Sequence, residues 1–223
     1  MKRSAAKGRD LVGPGQGVDA PALAVHPVGK DRFGDDDAGR ASLNRLYSRG
    51  IRLLVDRVPN TPTGHALITT DGGSNEIVVI SGANLKLGSR PLDPIKGLGA
   101  DDLLLTQLES PVDKVASASR FAAERGVRVM INLAPWAELP ADVVELADPL
   151  VIPASDLPTL RQGGAVPRSL VVLHGKEGLA WDDEFYPASL VPDSDVVDTV
   201  GASDALIGTL AAAIAMGEDR ATS

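Results

Sequence analysis

The sequence predicts a three-layer α/β/α fold with a mostly parallel central sheet. Short apolar runs, Leu103 to Thr106, Val127 to Asn132, Pro149 to Ile152 and Leu170 to Leu173, alternate with stretches of helical periodicity. Such βαβα order implies right-handed crossovers that cover both faces of a parallel sheet, and it places ligands at the carboxyl ends of the strands. Ahead of the alternation, Thr63 to Thr70 and Glu76 to Ser81 flank Asp71-Gly72-Gly73-Ser74-Asn75, a hairpin signal. The hairpin is expected to form a small β lid over about residues 60–84. The length of 223 residues suits a single α/β domain with such an appendage.

Hydrophobic content of 43% with 23 Gly and 16 Pro describes a folded, turn-rich chain. A net charge of −8 argues against a nucleic-acid partner, which needs clustered Lys and Arg. The absence of cysteine excludes disulfides and thiolate metal sites and agrees with a reducing, cytoplasmic location. His26, His65 and His174 are scattered without ligand spacing. No apolar run approaches the ~20 residues of a membrane span, and the basic N-terminus lacks the apolar core of a leader, so no membrane association is expected.

In chain order, Met1 to Asp10 carries no periodicity. Gly13-Pro14-Gly15-Gln16-Gly17-Val18-Asp19 follows, a loop whose glycines allow close approach of a ligand, although such clusters are most often ordinary turns. No strand precedes it, so it is a poor dinucleotide fingerprint. After Val28 to Gly34, the acids Asp35, Asp36 and Asp37 open a helix through Leu43, Leu46 and Tyr47 that stops near Gly50, with Arg45 and Arg49 in its last turn. Three adjacent acids could suggest a metal site. A solvated helix start explains them better, because consecutive helical positions do not face one ligand. Beyond the lid, Val112, Val115, Ala118 and Ala122 mark a helix over Pro111 to Arg125 with Gly126 as its stop, and Val143 and Leu146 mark a shorter one.

The chain closes on Asp198-Thr199-Val200-Gly201-Ala202-Ser203-Asp204 and the apolar run Ala205 to Met216. This reads as a tight turn opening a buried helix, where backbone N–H groups and the helix dipole converge beside the Asp204 carboxylate. A base beside an anion site is what phosphoryl transfer to a hydroxyl requires. The plainer alternative is a favourable first-turn acid.

Several segments together resemble one family. Pro62-Thr63-Gly64, Ile77 to Asn84 with its Ser81-Gly82-Ala83-Asn84, Leu105-Thr106-Gln107-Leu108-Glu109-Ser110-Pro111, Asn132-Leu133-Ala134-Pro135 and Asp198 to Asp204 occur in the order seen in the ribokinases of the PfkB-type carbohydrate kinase family. The Val28 to Gly34 segment is similar to the one that follows the family's glycine-rich sugar loop, and the resemblance covers approximately residues 11–216. It implies a ribokinase-like fold and transfer of the γ-phosphate of ATP to the primary hydroxyl of ribose or a similar sugar. Asp204 would be the general base, with Gly201, Ala202 and Ser203 supplying anion-hole N–H groups. Gly15, Gln16 and Asp19 would line the sugar loop, and Glu109 would bond a sugar hydroxyl. Gly175, Lys176 and Gly178 would face ATP. Asp156 would organise Mg²⁺ through water, and Asp198 with the Val200 carbonyl would hold a monovalent cation such as K⁺. The lid would exclude water and could pair two copies into a homodimer.

Departures from the family pattern fall on functional positions. Gln16 stands where the family has Lys, Asp19 where it has Asn, Pro153 where it has a phosphate-binding Asn, Leu173 where it has Thr, and Ser203 where it has the last turn glycine. Family members also carry a strand before, and segments after, the stretch matched here, so the chain is expected to be truncated at both ends. A catalytically weak or inactive sugar-binding relative is therefore the alternative to an active kinase.

Overall fold

The computed structural model describes residues 31–51, 53–71, 74–86, 93–189, 191–192, 196 and 199–218. It opens on strand β1 (Asp31–Gly34), helix α1 (Asp37–Tyr47) and strand β2 (Val55–Val58), with β1 and β2 paired in parallel. Asp36 caps α1 by accepting from the Gly39 N–H at 2.9 Å. The acids do start a helix, but it ends at Tyr47, so Arg45 lies in its last turn and Arg49 beyond it.

Strands β3 (His65–Asp71) and β4 (Ser74–Ile80) form the expected antiparallel hairpin, in a two-stranded sheet of their own. The register runs from His65 opposite Ile80 to Asp71 opposite Ser74. Pairing therefore extends further towards the turn than the sequence suggested. Gly72 and Gly73 lie outside the described residues.

The main sheet is built from β5 (Leu103–Gln107), β6 (Arg128–Asn132), β7 (Leu150–Pro153), β8 (Leu170–Leu173), β9 (Gly178–Trp181) and β10 (Glu184–Pro187), in the order β10-β9-β8-β7-β6-β5. Strands β5 to β8 are parallel, while β9 and β10 are antiparallel additions at one edge. Helices α2 (Val112–Glu124), α3 (Ala141–Leu146) and α4 (Leu157–Gly163) follow β5, β6 and β7, and α5 (Ala202–Met216) follows β10.

Strand periodicity sorts the core into two layers, because successive side chains leave a strand on opposite faces. Leu104, Val129, Ile131, Leu150 and Ile152 pack with Val115, Val143 and Leu160 of α2, α3 and α4. Their strand neighbours Met130, Val151 and Val171 pack on the other face against Ile207, Leu210, Ala211 and Ile214 of α5. Both faces are covered, which is why these strands read as continuous apolar runs and not as alternations. The three-layer α/β/α prediction holds. The α5 stripe follows the i, i+3, i+4, i+7 spacing of one face. Leu206 and Met216 are exposed, so the expected buried helix is buried along one face.

Candidate active site

Helix α5 starts at Ala202, earlier than the apolar run from Ala205 implied. The turn before it is closed by Gly201 in the left-handed region (φ 76°), with the Ala202 N–H donating to the Thr199 carbonyl at 3.2 Å and the Ala205 N–H to the Gly201 carbonyl at 2.9 Å. The Ala202 N–H is thus committed inside the turn. Ser203 and Asp204 sit in the first helical turn with exposed side chains. Among the described non-glycine residues, positive φ occurs only at Asn60 and Asp182, so Ser203 carries no left-handed strain in place of the family's glycine. Gly201 is the position that needs a glycine. No described side chain caps α5. Its positive end has the Asp204 carboxylate beside it, which is the physical condition for an anion site next to a base.

The direction of α5 fixes where this end lies. Ile214 to Gly217 share a small cleft with Leu103 and Arg128, the first residues of β5 and β6. The helix runs ~22 Å from there, by its 1.5 Å rise, back along the sheet. Its N-terminus therefore reaches the carboxyl edge of the parallel strands, where Gln107, Asn132, Pro153 and Leu173 end β5 to β8. Glu109 belongs to the same edge, two residues past β5. It follows Leu108, whose N–H donates to the Ala134 carbonyl at 3.1 Å and ties the loops after β5 and β6 together. Asn132, only 5% exposed, donates to Gln107 at 3.4 Å across the strand ends.

Asp156 stands at the start of α4, where a capping role would be the ordinary explanation. Its side chain makes no capping hydrogen bond, and its Oδ1 instead accepts from the Ser155 hydroxyl at 3.2 Å. After β8, Gly175–Glu177 form a single 3-10 turn. Gly175 (φ 61°) has open space where a Cβ would stand, as close ligand approach requires. Gly178 has a different reason to be glycine: with φ 130° and ψ −149°, a Cβ there would strike the Tyr186 carbonyl and lie 2.8 Å from the Ala188 nitrogen. The packing of β10 against β9 demands it, independently of any ligand.

Gly15, Gln16, Asp19 and Asp198 lie outside the described residues. Of the predicted cation site, Val200 is described and exposed. Among the described residues, no group of three His, Asp or Glu side chains is placed to hold a metal by itself. No described helix is long and apolar enough to cross a membrane.

The sequence reading missed a cluster at the root of the hairpin. Asp36 Oδ1 accepts from the Gly39 N–H at 2.9 Å and from the Thr63 hydroxyl at 2.5 Å, while Oδ2 accepts from the Thr63 N–H at 2.8 Å. The Thr63 hydroxyl also accepts from the Gly34 N–H at 2.9 Å. The Thr63 hydroxyl and the two backbone N–H groups hold the Asp36 carboxyl down at about 2, well below its ordinary range, so it is ionised at neutral pH. The signal available in the sequence was an Asp three residues before a glycine at a helix start.

A parallel sheet covered on both faces, with a helix N-terminus at its carboxyl edge, defines a three-layer α/β/α protein of the class that gathers ligands at that edge. Residues 31–223 match the model of the pfkB family carbohydrate kinases, and the chain belongs to that family. It is 30% identical over 218 residues to the ribokinase of Bacillus subtilis, a match covering 93% of this chain and 74% of that protein. Its fold is similar to that of the Thermotoga maritima ribokinase (TM-score 0.72, 24% identity, 85% of this chain and 68% of that one). It is equally similar to that of the Arabidopsis thaliana ribokinase complexed with ribose and ATP (TM-score 0.73, 23% identity, 86% and 70%).

Proposed function

We propose that this chain is an ATP-dependent sugar kinase acting on the primary hydroxyl of ribose or a close pentose. The observation that carries the reading is Asp204 in the first turn of α5 at the carboxyl edge of the sheet. Its carboxylate takes the hydroxyl proton as the sugar oxygen bonds to the γ-phosphorus, and the bond from that phosphorus to the β-bridging oxygen breaks to release ADP. The Gly201 and Ser203 N–H groups would face the charge that develops on the transferring group, the Ala202 N–H being held inside the turn by the Thr199 carbonyl. Glu109, on the loop after β5, orients a sugar hydroxyl, together with Gly15, Gln16 and Asp19. Gly175 lets the loop after β8 approach the nucleotide, with Lys176 beside it.

Mg²⁺, when bound, neutralises the β- and γ-phosphates. The Asp156 carboxylate, not spent on capping, would hold a water bound to that ion. Asp198 and the Val200 carbonyl are the residues we assign to a K⁺ site. The β3–β4 hairpin is the lid of this single domain, and its exposed Leu67, Val78 and Val79 offer the surface through which two copies would pair.

A second reading, sugar binding without turnover, is favoured by Pro153. It ends β7 where a phosphate-directed donor would serve the reaction, and it has neither a backbone N–H nor a polar side chain. A coupled ADP-release assay with D-ribose and other pentoses separates the two. For the kinase, Asp204→Asn lowers kcat by about 10²–10⁴-fold, the usual contribution of a general base, with little change in KM. Calorimetric ribose binding with no ADP release would instead establish the second reading, whereas turnover indifferent to Asp204→Asn would remove Asp204 as the base.

A further inference from the structure

The root of the β3–β4 hairpin is more tightly built than a connection between two elements needs to be. Thr63, 6% exposed, has every polar group engaged: its N–H and hydroxyl donate to Asp36, its hydroxyl accepts from Gly34, and its carbonyl meets His65 Nδ1 at 2.5 Å. The surrounding backbone leaves no room for side chains. A Cβ on Gly39 would lie 2.6 Å from the Gly34 carbonyl and 2.7 Å from the Thr63 hydroxyl, and one on Gly34 would lie 2.5 Å from the Thr63 nitrogen. The far strand is drawn to the same point. Just after β4, Gly82 takes φ 49°, a Cβ on it would strike the Pro62 carbonyl, and the Ala83 N–H donates to that carbonyl at 2.9 Å. Both ends of the hairpin thus meet at Pro62-Thr63, and Asp36 ties that point to the start of α1.

The geometry points to Asp36 as a positioning residue for sugar binding: by clamping Thr63 while capping α1, it fixes the angle of the β3–β4 hairpin and so its closure over bound sugar. This rests on the reading of the hairpin as the lid of a sugar kinase. Asp36 touches no reacting atom in it. A carboxylate is needed because both of its oxygens must accept, one from the helix N–H and the Thr63 hydroxyl and the other from the Thr63 N–H. A cap alone would be served as well by Asn.

That difference supplies the test. Asp36→Asn retains an acceptor for the Gly39 N–H but turns an amide NH₂ towards the Thr63 N–H, so it keeps the cap and breaks the clamp. Thr63→Val keeps the side-chain shape and removes the hydroxyl, and Thr63→Ser restores it. Hydrogen exchange is followed at the amides of β3, β4, β6 and β7, and ribose-dependent ADP release is measured on the same proteins. The clamp predicts exchange about tenfold faster in β3 and β4 for Asp36→Asn and Thr63→Val, the scale of one lost charge-assisted hydrogen bond, with β6 and β7 unchanged and Thr63→Ser within about twofold of the parent. It also predicts a KM for D-ribose raised about tenfold, with kcat changed less than about twofold. Hairpin exchange unchanged in both variants, exchange accelerated equally in β6 and β7, or faster hairpin exchange with an unaltered KM each overturns the proposal. If the parent chain releases no ADP with D-ribose, the kinase reading fails by itself, and the exchange measurements still decide whether Asp36 clamps the hairpin.

Discussion

Among the described residues are two antiparallel hairpins, β3–β4 and β9–β10, and they are fixed in the molecule in opposite ways. The second is joined to the main sheet along β8, with Val171, Val172 and Leu173 opposite Trp181, Ala180 and Leu179. Trp181 is 4% exposed in the α5-side core, its indole N–H donates to the Ser169 hydroxyl at 2.7 Å, and Asp182 accepts from that hydroxyl and from the Leu170 N–H. The first hairpin stands in a sheet of its own, with the cross-strand pair Leu67 and Val78 both more than half exposed. It is anchored at its root by Asp36 and Thr63. A hairpin joined along its length becomes part of the core, whereas one whose contacts among the described residues gather at its base has more freedom to move as a unit.

Substitutions in the two hairpins test this contrast. The largest effect is expected for Trp181→Ala, which should cost about 3–5 kcal/mol of unfolding free energy by emptying a buried aromatic site and removing the indole donor to the Ser169 hydroxyl. Chemical denaturation reads this directly, and a loss below about 1 kcal/mol would mean that β9–β10 is not part of the cooperative core. Gly178→Ala comes next, at about 1–3 kcal/mol, because it forces a Cβ into a backbone region that essentially only glycine enters. The smallest effect is expected for Val78→Ser in the first hairpin, within about 0.5 kcal/mol for the monomer as for other exposed positions. If copies pair through this surface, the same substitution shifts the sedimentation profile towards monomer. A large loss of monomer stability from Val78→Ser would erase the distinction between the hairpins.

What the sequence disclosed follows the same physics. Strands β5 to β8 were legible because burial on both faces leaves continuous apolar runs, and α2 because Val115, Ala118 and Ala122 keep helical spacing against the sheet. Strands β9 and β10 were not, since they lack a continuous apolar run and their turn places Asp182 at φ 53° without the Asn-Gly or Asp-Gly pair that advertises such a turn. Strand β1 was hidden for another reason: Asp31 and Arg32 give it no apolar pattern, and it pairs with a partner more than twenty residues away. Helix α4 did carry readable signals, Pro158 in its first turn and Gly164 as a left-handed C-cap. At the candidate site, the order of motifs brought Glu109, Asp156, Gly175 and Asp204 to one sheet edge. It could not reveal that Gly178 is shaped by β10, or that one carboxylate near the start of the chain joins a helix to a distant hairpin, because both depend on contacts remote in sequence.

The orientation of α5 has one more consequence. Its far end rests beside Leu103 and Arg128, its middle is keyed into the sheet by Ile207, Leu210, Ala211 and Ile214, and its near end carries Asp204. The helix is therefore a ruler whose zero mark is set by hydrophobic packing. Adding or removing one residue between Asp204 and Ile207 would swing the carboxylate about 100° around the axis and shift it ~1.5 Å along it, while leaving every side chain chemically intact. The segment between Asp204 and Ile207 therefore tolerates a changed side chain on its outward face but not a changed number of residues.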